Sequence, residues 1–301
     1  MFYTRSVRVE YRLEPCKSAL TSVKGMPFRW SLNPYMGCAH RCTFCYVRHF
    51  ELRADRPSGE EYGRSIRVKT NVAEVLRREL ARTSWRCEEV SLGSATDPYQ
   101  PAEGRFQLTR ACIVELTRAS TPFSIITRGP LVVRDIDVLQ DASSRAGTSV
   151  YLSIPTLDER VWRTTEPGTA RPRSRLEAVR RLADAGVPVG VGIAPILPGL
   201  SDRPHQLEAV VREARAAGAR NIWASVVHLR PGVREHFLHT LADDWPEEVS
   251  RYEALFASRA YLPTSMTAPM TEPVRRAAAA TGSPRRVPLP RREPAQLVLA
   301  V

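Results

Sequence analysis

The chain predicts an α/β fold built on a parallel sheet, and three observations carry that reading. Short apolar runs rich in β-branched residues alternate six times with longer segments whose apolar residues recur at helical spacing. The run Val187–Leu197 (VPVGVGIAPIL) reads as a buried strand, and the helical segment before it ends at Gly186, as a helix C-terminus should. Strands that alternate with helices require right-handed crossovers and therefore lie parallel.

The elements follow in order. Residues 1–27 are polar and irregular and are expected to form an N-terminal extension covering one end of the core. Phe28–Tyr35 is the first predicted strand and ends at a cysteine-bearing loop. Val72–Thr83 (VAEVLRRELART) is amphipathic at helical spacing. Glu89–Ala95 is a second strand, followed by a helix over Phe106–Ala119; Pro122–Thr127 is a third, followed by Val132–Ala146. Ser149–Ile154 is the fourth strand, with a helix at Arg175–Ala185. Val187–Leu197 is the fifth, and Leu207–Ala217 the next helix, its approach capped by Ser201 or Asp202. Asn221–Val227 completes the sixth strand, and Trp245–Tyr261 is expected to pack as a last helix across the body, which spans 28–262. Residues 263–301 shift to Pro, Arg, Ala and Thr, and are expected to be a disordered tail. Its stretch Thr281–Pro294 carries four prolines and four arginines.

A hydrophobic content of 43% over 301 residues supports one substantial core. No apolar stretch reaches the roughly eighteen residues of a membrane span, and Met1–Pro15 lacks the apolar middle of a signal peptide. A cytoplasmic protein without a membrane partner is expected. The net charge is +12, and only Lys17, Lys24 and Lys69 are lysines; the other 41 basic residues are arginine. Such a balance favours polyanionic partners, DNA or another nucleic acid among them, because neutralised phosphates release counterions. Solvated arginine faces and coding bias account for it equally simply.

The sharpest feature is Gly37-Cys38-Ala39-His40-Arg41-Cys42-Thr43-Phe44-Cys45-Tyr46, a C-x3-C-x2-C spacing with no fourth cysteine nearby. Three thiolates on one loop can hold three irons of a [4Fe–4S] cube and leave the fourth iron open to an outside ligand. The same thiolates with His40 or His49 would also suit zinc, giving a zinc-stabilised nucleic-acid-binding protein without catalysis. Cys16, Cys87 and Cys112 are scattered; Cys112 lies in an apolar helical pattern and reads as core.

The stretch Asn33–Arg48 (NPYMGCAHRCTFCYVR) resembles the radical S-adenosylmethionine (radical SAM) superfamily, in the branch containing spore photoproduct lyase and its relatives. The resemblance runs over about residues 28–230. It implies a partial (β/α)6 TIM-type barrel, to which the six β/α units correspond. It also implies a [4Fe–4S] cluster on Cys38, Cys42 and Cys45, with SAM chelated through its amino and carboxylate groups at the open iron. Reductive cleavage of SAM would then yield methionine and a 5′-deoxyadenosyl radical, with a flavodoxin- or ferredoxin-type protein as electron donor.

Active sites of such barrels form at the carboxyl ends of the strands. By the resemblance, Phe44 lies against the adenine. After the second strand, Ser94, Thr96 and Asp97, in a TDPYQPxE pattern with Glu103, suit gripping the SAM ammonium, although Asp97-Pro98 also reads as a plain turn. Arg128, where spore photoproduct lyases carry a lysine, has the geometry to pair with the SAM carboxylate. Ser153 suits the ribose, and Gly190, Gly192 and Ala194 leave room for the adenine against backbone. Glu166 and Arg175 bracket a loop (EPGTARPRSR) that either lines the substrate mouth or merely begins a helix.

Tyr46 follows the last cysteine, where spore photoproduct lyases have a tyrosine that relays a hydrogen atom; it also reads as a packing residue under the loop. Those enzymes place a hydrogen-donating cysteine at the end of the second strand, and this chain has Ser94 there. A serine O–H bond is far stronger than a thiol S–H bond, so photoproduct repair by that route is not expected. The substrate is left open between a nucleic-acid lesion and a peptide or small molecule.

Overall fold

The computed structural model describes residues 9–283, and within them the six apolar runs form the parallel strands expected of them. The chain opens with β1 (Glu10–Glu14), β2 (Leu20–Ser22), β3 (Trp30–Leu32) and β4 (Tyr35–Met36), then α1 (Val47–Arg53), β5 (Ser65–Lys69) and α2 (Val72–Leu80). β6 (Val90–Leu92) leads into α3 (Pro101–Phe106) and α4 (Leu108–Arg118), and β7 (Phe123–Thr127) into α5 (Ile136–Arg145). β8 (Thr148–Ser153) is followed by α6 (Glu159–Thr165) and α7 (Pro172–Asp184), and β9 (Val189–Ile196) by α8 (Pro204–Ala216). β10 (Asn221–Val226), α9 (Val233–Asp244), α10 (Val249–Leu255) and α11 (Thr264–Thr281) complete the chain.

The main sheet runs β10-β9-β8-β7-β6-β3-β2. Its six strands from β3 to β10 are parallel neighbours in chain order, the (β/α)6 arrangement, and only β2 is antiparallel. Register places Leu32 beside Leu92, Leu92 beside Ile125, Ile125 beside Val150 and Val150 beside Val189. These residues are buried and form the centre of the main core. Helices start where sequence chemistry allows: Pro101, Pro172 and Pro204 each occupy a first helical position, where a missing N–H costs nothing. Among the described residues, no helix is long and apolar enough to cross a membrane.

Four expectations are corrected. The first strand, expected over Phe28–Tyr35, is broken at Asn33-Pro34. β3 stays in the main sheet while β4 turns into a second sheet, ordered β1-β5-β4. Pro34 lacks a ladder donor, which is reason enough for the break. The N-terminal segment is not irregular where it is described. β1 pairs with β5, β2 pairs with β3, and the Glu79 carboxylate accepts from the amides of Ala19 and Leu20 and from the Ser18 hydroxyl.

The segment from 263, expected to be disordered, carries α11 as far as Thr281, and only 284–301 lie outside the described residues. Pro269 and Pro273 made this stretch read as broken. Packing outweighs them: Val274 is 2% exposed and joins the main core, with Ala277 and Ala278 against it. Arg215 fastens the far end by donating to the Ala278 carbonyl at 3.2 Å. The last helix expected over Trp245–Tyr261 is shorter. A 3-10 turn at Pro246–Glu248 precedes α10, and the longer helix is α9, before Trp245.

Since α11 is held by an apolar stripe, a charge at its centre should release it. Val274→Asp is expected to lower stability by about 3 kcal/mol, in the upper range for one substitution. Urea unfolding followed by circular dichroism measures this, and an unchanged midpoint would show that α11 contributes nothing to the core.

Candidate active site

The cysteine loop emerges at the carboxyl end of β4 and is held by the Gln100 side chain and by close backbone contacts from other segments. Gln100, fully buried, accepts from the Ala39 amide at 3.0 Å and donates to the Gly37 carbonyl at 3.0 Å. The Thr43 amide donates to the Thr165 carbonyl at 2.9 Å. Two glycines are dictated by close approach: a Cβ on Gly63 would lie 2.3 Å from the Cys38 carbonyl oxygen, and one on Gly168 would lie 2.4 Å from that of Ala39. Irregular backbone that is buried must find its partners this way.

The three thiols are free; Cys38 and Cys42 are buried and Cys45 is half-buried. Burial pushes Cys38 and Cys42 up, Cys42 to about 12, so both stay protonated at neutral pH until a metal displaces the proton. Arg48 supplies a test of what belongs here. It is 1% exposed and donates to the carbonyls of Cys42, Ser58, Gly59 and Arg41, with its guanidinium 4.5 Å from the centre of the Tyr62 ring. No carboxylate among the described residues forms an ion pair with it. Burial lowers its pKa, and Cys45 heads the groups that oppose this. A buried cation without a counter-ion is expensive, and three thiolates beside it would remedy that. The donor set fits an anionic iron–sulfur cluster.

The two histidines offered as a fourth zinc ligand face other groups. His40 faces the Asp97 carboxylate at 3.2 Å, and a His49 nitrogen lies 3.0 Å from the Pro231 carbonyl.

At the end of β6, Asp97 works as a clamp. Its carboxylate accepts from the Tyr99 amide at 2.9 Å, the Thr127 hydroxyl at 2.6 Å and the Arg128 amide at 2.6 Å, tying the loop after β6 to the end of β7. Ser94 is hydrogen-bonded to Ser31, and the Thr96 hydroxyl donates to the Tyr35 carbonyl at 3.2 Å. The three residues expected to grip an ammonium thus share one loop, each already engaged with the protein.

Arg128, Ser153, Ala194 and Phe44 meet. The Ala194 carbonyl accepts from the Ser153 hydroxyl at 2.8 Å and from Arg128 at 3.1 Å, and the Arg128 guanidinium lies 5.6 Å from the centre of the Phe44 ring. Arg128 also donates to Glu166 at 2.6 Å, and Glu166 is held from its other side by Arg175 at 2.9 Å. Arg175, fully buried, reaches the Ser153 carbonyl at 2.8 Å. Burial by itself would raise the Glu166 pKa, but Arg175 and Arg128 together hold it below the usual carboxylate range. Arg175 lies in the first turn of α7, as a helix start should, and both side chains are buried behind Arg128.

Tyr46 forms no hydrogen bond to this cradle among the described residues, but lies within electrostatic reach of Arg128. It is 37% exposed, immediately before α1, with its ring 5.8 Å from that of His228. The other cysteines are remote from the strand ends: Cys87 precedes β6, and Cys112 is buried in α4. The supporting residues Asn33, Arg48, Tyr62 and Gln100 were not singled out by the sequence. Asn33 and Gln100 lie inside the two motifs, and Asn33 accepts from the Ala95 and Thr96 amides. Tyr62, whose hydroxyl is 3.6 Å from the Cys45 sulfur, carries no sequence signal at all.

The Asp97 clamp has an acid signature. Burial alone would raise its carboxyl, but His40, Thr127 and the Arg128 amide outweigh that and hold it at about 2, below its ordinary 3.8. A depressed carboxyl contributes stability above its unfolded value that is lost as pH falls through its folded one. Asp97→Asn should therefore be less stable than wild type near neutral pH, with the gap narrowing as pH falls from about 4 to 2. Urea midpoints across that range decide it, and a constant gap would leave the clamp without a titrating part.

Known proteins agree with this geometry. The sequence pattern of the Radical SAM superfamily matches residues 32–214. An uncharacterised protein of Mycobacterium tuberculosis is 41% identical over 253 residues, 83% of this chain and 74% of that one. An uncharacterised protein of Methanocaldococcus jannaschii is 25% identical over 219 residues, 73% of this chain and 77% of its own. Among solved structures, spore photoproduct lyase complexed with dinucleoside spore photoproduct superposes with a TM-score of 0.66 at 15% identity, covering 89% of this chain and 78% of that one; at this identity the likeness speaks for the fold. The match over more than half its length and the 41% relative settle the family: this chain belongs to the radical SAM superfamily.

Proposed function

We propose that the chain holds a [4Fe–4S] cluster through Cys38, Cys42 and Cys45, binds SAM beside it, and abstracts hydrogen from a nucleic-acid substrate. The observation that carries the proposal is three free thiols on one loop, with Cys42 and Cys45 within electrostatic reach of the buried Arg48 and Cys42 within reach of Arg128 as well. When bound and reduced, the cluster supplies the electron that splits SAM into methionine and a 5′-deoxyadenosyl radical, which takes a hydrogen atom from the substrate.

The chain's own residues do the positioning. Arg128 is braced by Glu166 and the Ala194 carbonyl, so its remaining donors present a fixed fork to a carboxylate. Burial by itself would lower its pKa, but Cys42 and Glu166 raise it instead, so it stays charged throughout. Phe44 and the Ala194 backbone border the space next to it, where a flat ring can lie. The ammonium group is left to the loop carrying Ser94, Thr96 and Asp97, whose acceptors also serve the protein's own hydrogen bonds.

Support for a nucleic-acid substrate comes from the +12 charge and from the fold shared with an enzyme whose solved structure contains a dinucleoside photoproduct. Ser94, where that enzyme's relatives carry a hydrogen-donating cysteine, sets this chain apart from photoproduct repair through a thiol.

Anaerobically reconstituted protein should bind about four irons with matching sulfide, show the brown colour of a cluster, and form 5′-deoxyadenosine from SAM with dithionite. The variant with Cys38, Cys42 and Cys45 all changed to alanine should do neither. Zinc in place of iron and sulfide would overturn the proposal, as would 5′-deoxyadenosine formed by the triple variant.

A further inference from the structure

Next to the cysteine loop, beginning at Tyr46, lies a row of aromatic rings that the chemistry so far does not use. The Tyr261 ring stacks on His228 at 4.7 Å between centres, with only 12° between the planes. His228 in turn lies 5.8 Å from Tyr46, tilted by 34°, and Phe50 meets Tyr46 edge-on at 6.1 Å. The row is built rather than casual. His228 and Arg230 sit on the loop after β10, and the Leu229 amide donates to the Ala260 carbonyl at 2.9 Å, which registers that loop against Tyr261. Arg230 donates to the Tyr261 hydroxyl at 3.1 Å and places its guanidinium 5.4 Å from that ring's centre.

The outer rings are open to solvent: Tyr261 is 53% exposed, Phe50 45% and Tyr46 37%. A stacked pair of rings whose outer member is half exposed, a guanidinium over that ring and a chain of net charge +12 make a surface for a flat π-system attached to an anion. Every nucleobase has such a face, and its phosphate supplies the charge. A paired base inside a duplex hides its face, so the ladder suits an unpaired or everted one. The ladder also starts at Tyr46, the residue that follows Cys45, so a base stacked on it is brought next to the cysteine loop.

We propose that Tyr46, His228 and Tyr261, with Arg230 at their edge, form a stacking platform that receives an unpaired base of a nucleic-acid strand and delivers it to the site. This rests on the hydrogen-abstraction reading above and names how its substrate is held.

Fluorescence anisotropy of a labelled short oligodeoxynucleotide on the anaerobically reconstituted full chain tests it. The single strand should bind at least about tenfold more tightly than an abasic strand with the same phosphates, and more tightly than the matching duplex. Tyr261→Ala should lose about tenfold, and Tyr261→Trp should restore it. Arg230→Ala should reduce the slope of log affinity against log salt by about 1. Thermal melts establish that each variant is folded, and the abasic comparison needs no variant. Equal affinity for abasic and base-bearing strands would overturn the platform, as would duplex preferred over single strand or full binding by Tyr261→Ala. A tyrosine-rich peptide that displaces the strand from wild type at lower concentration would assign the ladder to peptides instead. The wild-type 5′-deoxyadenosine assay is scored separately. Stacking without SAM cleavage leaves the platform and removes the radical chemistry; cleavage without stacking does the reverse.

Discussion

Glu166, almost wholly buried, is gripped by two guanidiniums, and much of the strand-end architecture depends on that arrangement. Taking a carboxylate or a guanidinium out of water costs several kcal/mol per ion, so none of the three groups could stay there alone. Together they join the end of β7 through Arg128, the end of β8 through the Ser153 carbonyl, β9 through the Ala194 carbonyl, and the loop after α6 through Thr169 and Ala170. Arg128 lies beside Phe44 and within electrostatic reach of Cys42, and the Asp97 carboxylate on its amide balances the charge that the second guanidinium adds. The free donors of Arg128 still give this end a local bias toward an anionic guest.

The cysteine loop carries the same bias from the other side. Arg48 donates to four backbone carbonyls, including those of Arg41 and Cys42, but neutral carbonyls do not cancel its charge. Cys42 lies within electrostatic reach of both cations and Cys45 within reach of Arg48. Burial keeps Cys38 and Cys42 protonated. Ligation of a cluster would remove those protons and so link its binding to the stability of the loop. Gln100 and the two close-packed glycines make the loop stiff enough for that linkage to act on a defined shape.

The sequence reading reached the strands because β/α alternation is written residue by residue in hydrophobic period: Val90, Ile125, Val150 and Val191 are all buried as the pattern requires. It picked out the cysteine triplet because the three thiols are close together in the sequence. It also reached Arg128, Ser153 and Ala194, each at a strand end, and the structure brings those three to one carbonyl. What it could not reach are partners separated by long stretches of chain. Arg48 with Tyr62, Glu79 with the amides of Ala19 and Leu20, and the stacking of His228 on Tyr261 come from tertiary proximity, which no local pattern records. It misjudged α11 for a different reason. Two internal prolines are a local penalty, whereas the compensating burial of Val274 against the main core is a tertiary gain.

The distribution of hydrogen donors bears on what such chemistry can end in. A substrate radical is quenched readily by a thiol, poorly by an aliphatic hydroxyl. Among the described residues, the cysteines outside the loop are misplaced for this: Cys16 lies against Asn71 in the N-terminal segment, Cys87 precedes β6, and Cys112 is buried under α4. Ser94, at the strand end where a thiol would serve, has its hydroxyl committed to Ser31. Tyr46 has a weaker O–H bond than serine, an open face and a position next to Cys45. A reaction closed within this protein would therefore return hydrogen through the Tyr46 phenol or from the 5′-deoxyadenosine formed in the abstraction; otherwise the substrate radical would be resolved by an outside reductant or by loss of a second electron. Either course separates this chain from thiol-quenched repair while keeping the same fold and cysteine spacing.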